Sequence, residues 1–287
     1  MKILLTGSTG YLGSLIRTYL SNQYDFICPK RNDLDLYNPE SAYDYLMPQE
    51  FAAVFHMAAN GQTKDCEEKP ELTQRLNTLS TIEIAKICKE KNAKLVFFST
   101  EQVFNGQVGA PFSEEQQPKS ITNYGQQKIE AEEYISANLD NYLIMRLSWQ
   151  FGLSSKDIKA SPNIVANVIN ALFHKKPTLF TAHENRCMTY AYNLVRNFDK
   201  ILDCQNGILH FSSKNTLTTY EAAKYIAGQL GFSADEIDKY IKPDLQRYQD
   251  RPRDYRLDNS KALSLGFELT TFENDVAECL SDFAYFA

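Results

Sequence analysis

With 287 residues, 43% of them hydrophobic and 23% charged, the chain has the composition of a globular protein with ample material for a core. A formal net charge of −6 at pH 7 argues against nucleic acid or an acidic membrane surface as partner, and no stretch approaches the ~20 apolar residues of a membrane span. The six cysteines are scattered without a C-x-x-C pair, which argues against a metal site or disulfide framework; with Met1-Lys2 leading straight into a strand, the chain reads as cytoplasmic.

Met1 to Thr6 reads as a short buried strand, Gly7-Ser8-Thr9-Gly10-Tyr11-Leu12-Gly13 as a glycine-rich turn, and Ser14 to Leu20 as a helix. Strand, glycine turn and helix in that order suit the pyrophosphate of a dinucleotide. Glycine allows φ > 0 and a close backbone approach, and the helix N-terminus offers unpaired donors. The spacing is G-x-x-G-x-x-G, not G-x-G-x-x-G, and a ligand-free βα turn is the bland alternative. Tyr24 to Cys28 is a second strand ending near Lys30 and Arg31. Arg31 suits the 2′-phosphate of NADP, although Asp33 and Asp35 follow closely. Asn38-Pro39-Glu40 opens a short helix.

Phe51 to His56 is a third strand running into Met57-Ala58-Ala59, whose small residues let a cofactor lie close. His56, at the end of a buried strand, reads as a packed core residue rather than a base. Pro70 precedes a long helical stretch to about Lys91 carrying Asn77, which needs partners if buried. Ala93 to Phe98 is a fourth strand meeting Ser99-Thr100, hydroxyls at the carboxyl edge where open α/β sheets place ligands. After a loop through Asn105-Gly106 and Pro111, Asn123-Tyr124-Gly125-Gln126-Gln127-Lys128 opens a helix. Tyr124 and Lys128 are four apart and share a face. A free tyrosine, with a pKa near ~10, is a poor acid or base at neutral pH; a nearby ammonium and an oxidised nicotinamide favour the phenolate. Tyr142 to Leu147 is a fifth strand with Ser148-Trp149 at its end, Trp149 being the only tryptophan and either a stacking residue or a core cap.

Beyond this the pattern is less regular. Pro162 to His174 and Met188 to Leu202 read as helices, Pro177 to Thr181 as extended, Gly207 to Phe211 as a strand, Thr218 to Leu230 as a helix and 271–284 as a final helix. The arginine-rich run Arg251 to Asp258 reads either as a phosphate clamp or as a linker. These pieces suit an α/β chain whose strand ends share one edge of a parallel sheet under a smaller, discontinuous lid.

Thr6 to Gly13, Arg31-Asn32-Asp33-Leu34-Asp35-Leu36, Val54 to Ala59, Ser99-Thr100-Glu101-Gln102-Val103-Phe104-Asn105-Gly106, Asn123 to Lys128, Arg146-Leu147-Ser148-Trp149, and Arg251-Pro252 with Leu257 to Lys261 occur in one order from residue 1 to about 266. As a set they resemble the extended short-chain dehydrogenase/reductase family, and within it the dTDP-4-dehydrorhamnose reductases. That resemblance implies a Rossmann-type doubly wound parallel sheet over residues 1–150 and a smaller, mainly substrate-binding α/β domain over 151–287 with some segments returning to the first. It further implies a cytoplasmic reductase of a nucleotide-linked 4-keto sugar, NADP(H)-preferring with NAD(H) as the second choice, serving polysaccharide or glycan synthesis, with a homodimer as the family expectation. It assigns catalysis to Thr100, Tyr124 and Lys128. Cofactor binding falls to Gly7, Thr9, Gly10, Tyr11, Leu12, Gly13, Arg31, Ala58, Ala59, Asn77 and Ser99, with Tyr124 and Lys128. Substrate contacts fall to Thr100, Glu101, Gln102, Trp149 and Arg251.

Two departures stand in the substrate half. The family's S-T-D-Y-V-F-D-G becomes Ser99 to Gly106 with Glu101-Gln102, and its D-Q-x-G-x-P-T becomes His183-Glu184-Asn185-Arg186-Cys187-Met188-Thr189. Two other readings stay open: a nucleotide-sugar epimerase or dehydratase of the same superfamily, and a non-catalytic NADP-binding relative like the regulatory subunit of methionine adenosyltransferase.

Overall fold

A computed structural model describes residues 1–284. Its main sheet has six strands. β1 (Lys2–Thr6), β2 (Asp25–Ile27), β3 (Ala53–His56), β4 (Lys94–Thr100), β5 (Tyr142–Leu147) and Gly207–Phe211 lie in the spatial order Gly207–Phe211, β5, β4, β3, β1, β2. β1 pairs in parallel with both β2 and β3, and β3–β4 and β4–β5 are parallel too. The strand order therefore reverses at β1, and ligands of such sheets bind outside the carboxyl ends at that point. β1, β3, β4 and β5 are buried along almost their whole length and read as near-continuous apolar runs, whereas the edge strand β2 is not.

α1 (Tyr11–Leu20) packs Leu15, Ile16 and Leu20 inward at helical spacing, and α2 (Ser41–Leu46) follows β2. The stretch after β3 holds α3 (Thr63–Glu68), which the sequence pattern did not announce, then α4 (Pro70–Gln74), a π-helical turn over Arg75–Leu79, and α5 (Ser80–Lys91). Asn77 sits in the π turn. α6 (Asn123–Asn138) begins at a Thr122 cap whose Oγ1 accepts the Gly125 N–H at 3.3 Å.

The chain divides into two compact units: Met1–Gln107 with Glu114–Leu147 and Leu194–His210, and Val108–Ser113 with Ser148–Asn193 and Phe211–Ala287. The first is centred on Leu4, Val54, Leu95, Phe97 and Ile144 between the sheet and its helices. The second contains β6 (Trp149–Phe151), α7 (Ile164–Phe173), β7 (Thr178–Thr181), β8 (Glu184–Asn185) and β9 (Met188–Tyr190). α8 (Asn193–Arg196), α9 (Phe198–Asp203) and β10 (Gly207–Phe211) lead out of and back into it. It closes with α10 (Thr219–Gln229), α11 (Ala234–Tyr240), β11 (Ile241–Asp244), β12 (Arg253–Asp254), α12 (Ser260–Ser264) and α13 (Phe272–Asp282). Its core joins Phe151, Val165, Val168, Met188, Ile226, Phe272 and Leu280.

Two sequence readings change. Met188 to Leu202 is not one helix: Met188–Tyr190 pairs in parallel with β6, and the helical part is broken at Asn197. The Tyr190 N–H is held by the Asp275 carboxylate at 2.7 Å, a long-range bond invisible to local periodicity. Arg251 to Asp258 is not a free linker, because Arg253–Asp254 pairs with Glu184–Asn185. Among the described residues no helix is long and apolar enough to cross a membrane.

Candidate active site

The turn after β1 is tight for steric reasons that name its glycines. Gly7 has φ +70°, and a Cβ on it would lie 2.8 Å from the Ala58 nitrogen, so the chain after β3 abuts it. A Cβ on Gly13 would lie 2.4 Å from the Gly7 carbonyl oxygen, so α1 packs onto the turn only through glycine. Gly10, the N-cap of α1, has extended backbone and no side chain with which to cap the helix. The helix thus opens with amide groups and no acidic residue in its first turn, a local arrangement suited to an anion. Thr9 is exposed beside Gly10, whereas Tyr11 is buried and Leu12 half-buried.

After β2, the Asp33 carboxylate accepts the Lys30 N–H at 3.0 Å and Asp35 accepts the Tyr37 N–H at 3.0 Å. Both acids shape their own turn, while Arg31 is exposed with its guanidinium 5.7 Å from the Tyr37 ring centroid.

After β3, His56 is buried between Thr6 Oγ1 (2.7 Å) and Thr81 Oγ1 (3.0 Å), and burial together with the Lys128 charge pushes its pKa down to about 3. It is a neutral core residue. Asn77 accepts the Asn60 N–H at 2.8 Å and donates to the Asn60 carbonyl at 3.0 Å and Gln127 Oε1 at 2.8 Å. Its amide therefore anchors the loop that carries Ala58 and Ala59 rather than pointing into open space. That loop ends near Tyr124: a Cβ on Gly61 would stand 3.6 Å from the tyrosine hydroxyl.

Thr100 ends β4, where its Oγ1 accepts the Gln102 N–H at 3.2 Å, and its side chain is close enough to Tyr124 to pull the phenol pKa down. Gly125 lets α6 meet this turn, since a Cβ there would lie 2.5 Å from the Gln102 carbonyl oxygen. Burial drives the Tyr124 pKa well above its ordinary value, the Glu101 carboxylate and Cys66 raise it further, and only Thr100 opposes them. Lys128 is not among the groups that shift it, so the lowering expected from that ammonium is not seen, and Tyr124 stands as a protonated acid. Lys128 is buried with Nζ 3.9 Å from the Phe97 ring centroid. Burial pushes its pKa down to about 7, and Glu132 works against that. Glu101 is buried and accepts Gln102 Nε2 at 2.9 Å, so these two side chains engage each other. Ser99 donates its hydroxyl to Glu132.

Thr100, Tyr124, Lys128 and Glu101 are thus brought together with the loop of Ala58, whereas Trp149 and Arg251 belong to the second unit. There Trp149 is 40% exposed, not a core cap, and its ring lies 4.4 Å from the Arg186 guanidinium. Arg186 also faces the Tyr255 ring at 4.8 Å and bonds Glu184 Oε1 at 2.8 Å. Arg253 lies 3.6 Å over the Tyr248 ring. Sequence reasoning missed this arginine–aromatic stack. Its one local signal was the density of Arg and Tyr between 247 and 256.

A family model described as "RmlD substrate binding domain" matches residues 1–285. The chain belongs to this family. Members of the RmlD family and this chain share an extended short-chain dehydrogenase/reductase fold. A dTDP-4-dehydrorhamnose reductase from Yersinia enterocolitica superposes with a TM-score of 0.85 at 25% identity, covering 98% of this chain and 99% of that one. The Bacillus anthracis dTDP-4-dehydrorhamnose reductase, solved in complex with NADP, has the same fold (TM-score 0.84, 22% identity, 98% of each chain). In sequence, the probable low-salt glycan biosynthesis reductase Agl14 of Haloferax volcanii is 27% identical over 96% of both chains. Methionine adenosyltransferase 2 subunit beta of Mus musculus is 23% identical over 98% of this chain and 88% of its own.

Proposed function

We propose that the protein is an NADPH-dependent reductase converting the 4-keto group of a nucleoside-diphosphate deoxysugar to an alcohol, in the synthesis of a glycan or polysaccharide. The observation that carries this reading is the loop after β3. At one end Ala58 abuts the glycine turn, and at the other Gly61 lies against Tyr124, whose neighbour Thr100 acts on the phenol. A nucleotide cradle and an acid–hydroxyl pair are joined by the four residues Ala58 to Gly61.

The cradle fits a dinucleotide: glycine at Gly7 and Gly13 is sterically required, and α1 opens on a glycine N-cap with no acidic residue in its first turn. Gly7, Thr9, Gly10, Tyr11, Leu12 and Gly13 would line the phosphates, Ala58 and Ala59 the nicotinamide half, and Arg31 the 2′-phosphate. Arg31 is the reason for preferring NADPH to NADH, and the NADP complex of the Bacillus anthracis relative supports that choice. When bound, NADPH supplies the hydride that reduces the carbonyl carbon. Tyr124 gives its phenolic proton to the carbonyl oxygen as negative charge develops there, which completes the alcohol. Thr100 donates a hydrogen bond to the same oxygen. Lys128 lends positive charge to the phenolate that remains and holds the ribose. Trp149 and Arg251 serve the sugar nucleotide.

Tyr124→Phe tests this: turnover should fall by about 10²–10⁴-fold, while NADPH still binds. Wild-type rates in that variant would remove Tyr124 from the reaction.

A further inference from the structure

Tyr124, Lys128 and Glu132 are spaced by one turn each along α6 and share a face. All three meet β4: Tyr124 through Thr100, Lys128 through the Phe97 ring, Glu132 through the Ser99 hydroxyl. Lys128 is 1% exposed and Glu132 3%. An isolated ammonium at such depth loses its hydration without return and releases its proton unless an anion stands by.

Glu132 is built as that anion. Arg146, on β5 and 1% exposed, donates Nε to both carboxylate oxygens at 3.1 Å and Nη2 to Oε2 at 2.6 Å. With Ser99, four hydrogen bonds converge on one carboxylate, so it cannot swing. Arg146 is fixed in turn: its guanidinium lies 5.0 Å from the Phe104 ring centroid, and Nη1 is 3.4 Å from His210 Nε2 on β10. The His210 N–H donates to Glu114 Oε1 at 2.9 Å.

We propose that Glu132 is a positioning residue for Lys128: its carboxylate, locked by Arg146 and Ser99, is the counter-ion that keeps the ammonium charged beneath Tyr124. This rests on the catalytic role assigned to Lys128. The other ionisable groups nearby do not substitute. His56 on β3 is neutral and opposes the Lys128 charge when protonated, Glu101 after β4 and Cys66 on α3 act on Tyr124, and Arg146 and His210 bring no negative charge. Glu132 is the buried acid one turn from Lys128 on the same face of α6, and its charge raises the Lys128 pKa.

The test is Glu132→Gln beside the double variant Glu132→Gln/Arg146→Met, which removes both charges and leaves no guanidinium buried alone. The first readout is the titration of the Lys128 side chain by lysine-labelled NMR in the NADPH complex, assigned against Lys128→Met. The second is the alkaline limb of kcat. Both should move to lower pH by about one unit or more in either variant, and Glu132→Asp should recover part of the shift. A folded double variant whose Lys128 titrates as in wild type overturns the proposal, whatever its loss of thermal stability. A shifted Lys128 titration in a protein that reduces no keto sugar supports the counter-ion role and removes the reductase reading alone.

Discussion

Gly13→Ala puts the glycine turn to a quantitative test. The added Cβ would lie 2.4 Å from the Gly7 carbonyl oxygen, 2.7 Å from Ser8 Cα and 3.0 Å from the Gly7 carbonyl carbon. All three are backbone, so no rotamer change relieves the contact and α1 must move off the turn. Overpacking of this kind costs ~1–3 kcal/mol. Alanine regains ~1 kcal/mol of helix propensity over glycine, so stability without ligand should fall only modestly. Nucleotide binding should fall more, because the N-terminal amides of α1 move with the helix. At 100-fold excess over its dissociation constant NADPH stabilises the wild type by ~2.7 kcal/mol, and a tenfold weaker site retains ~1.4 kcal/mol at that concentration. The assay is thermal unfolding with and without NADPH, beside Gly228→Ala in α10. A Cβ on Gly228 meets nothing within 4 Å, so that variant should melt slightly higher with an unchanged NADPH response. An NADPH-induced shift in Gly13→Ala equal to wild type would refute the assignment of the turn to the pyrophosphate.

Arg31→Ala should weaken NADPH far more than NADH in a titration followed by nucleotide fluorescence; equal losses would take Arg31 off the 2′-phosphate. His56 also predicts an acid limb of stability. Its folded pKa of about 3 lies below the ordinary 6.5, so the unfolded chain binds the extra proton between those values. Its contribution is present above pH 6.5 and is lost as pH falls toward 3, at up to ~1.4 kcal/mol per pH unit. His56→Gln should flatten denaturant midpoints across that window; an unchanged slope would mean other groups set it.

The first unit was legible in the sequence wherever its signals were local. The strand–turn–helix at the N-terminus depends on glycines within seven residues, and Tyr124 and Lys128 are related by one helical turn. Groups defined by distant partners were not legible. Glu132 sits among Glu130 and Glu133 and looks like a solvated helix face, yet Arg146 and Ser99 draw it inside. Ser99 stands at the carboxyl edge as expected of a ligand group but is turned toward that same carboxylate. Met188–Tyr190 carries helix-compatible spacing and becomes a strand because β6 and Asp275 claim it. Arg186 is sealed between Trp149 and Tyr255, residues remote from it in the chain, and marks where the second unit departs from the family pattern.

The central claim is tested most directly by following deuterium from NADPH labelled at nicotinamide C4 into a panel of nucleoside-diphosphate 4-keto-6-deoxysugars. The account predicts one deuterium at sugar C4 for each NADPH oxidised. Sugar conversion without NADPH consumption, or no conversion of any panel member by folded protein that binds NADPH, would contradict it.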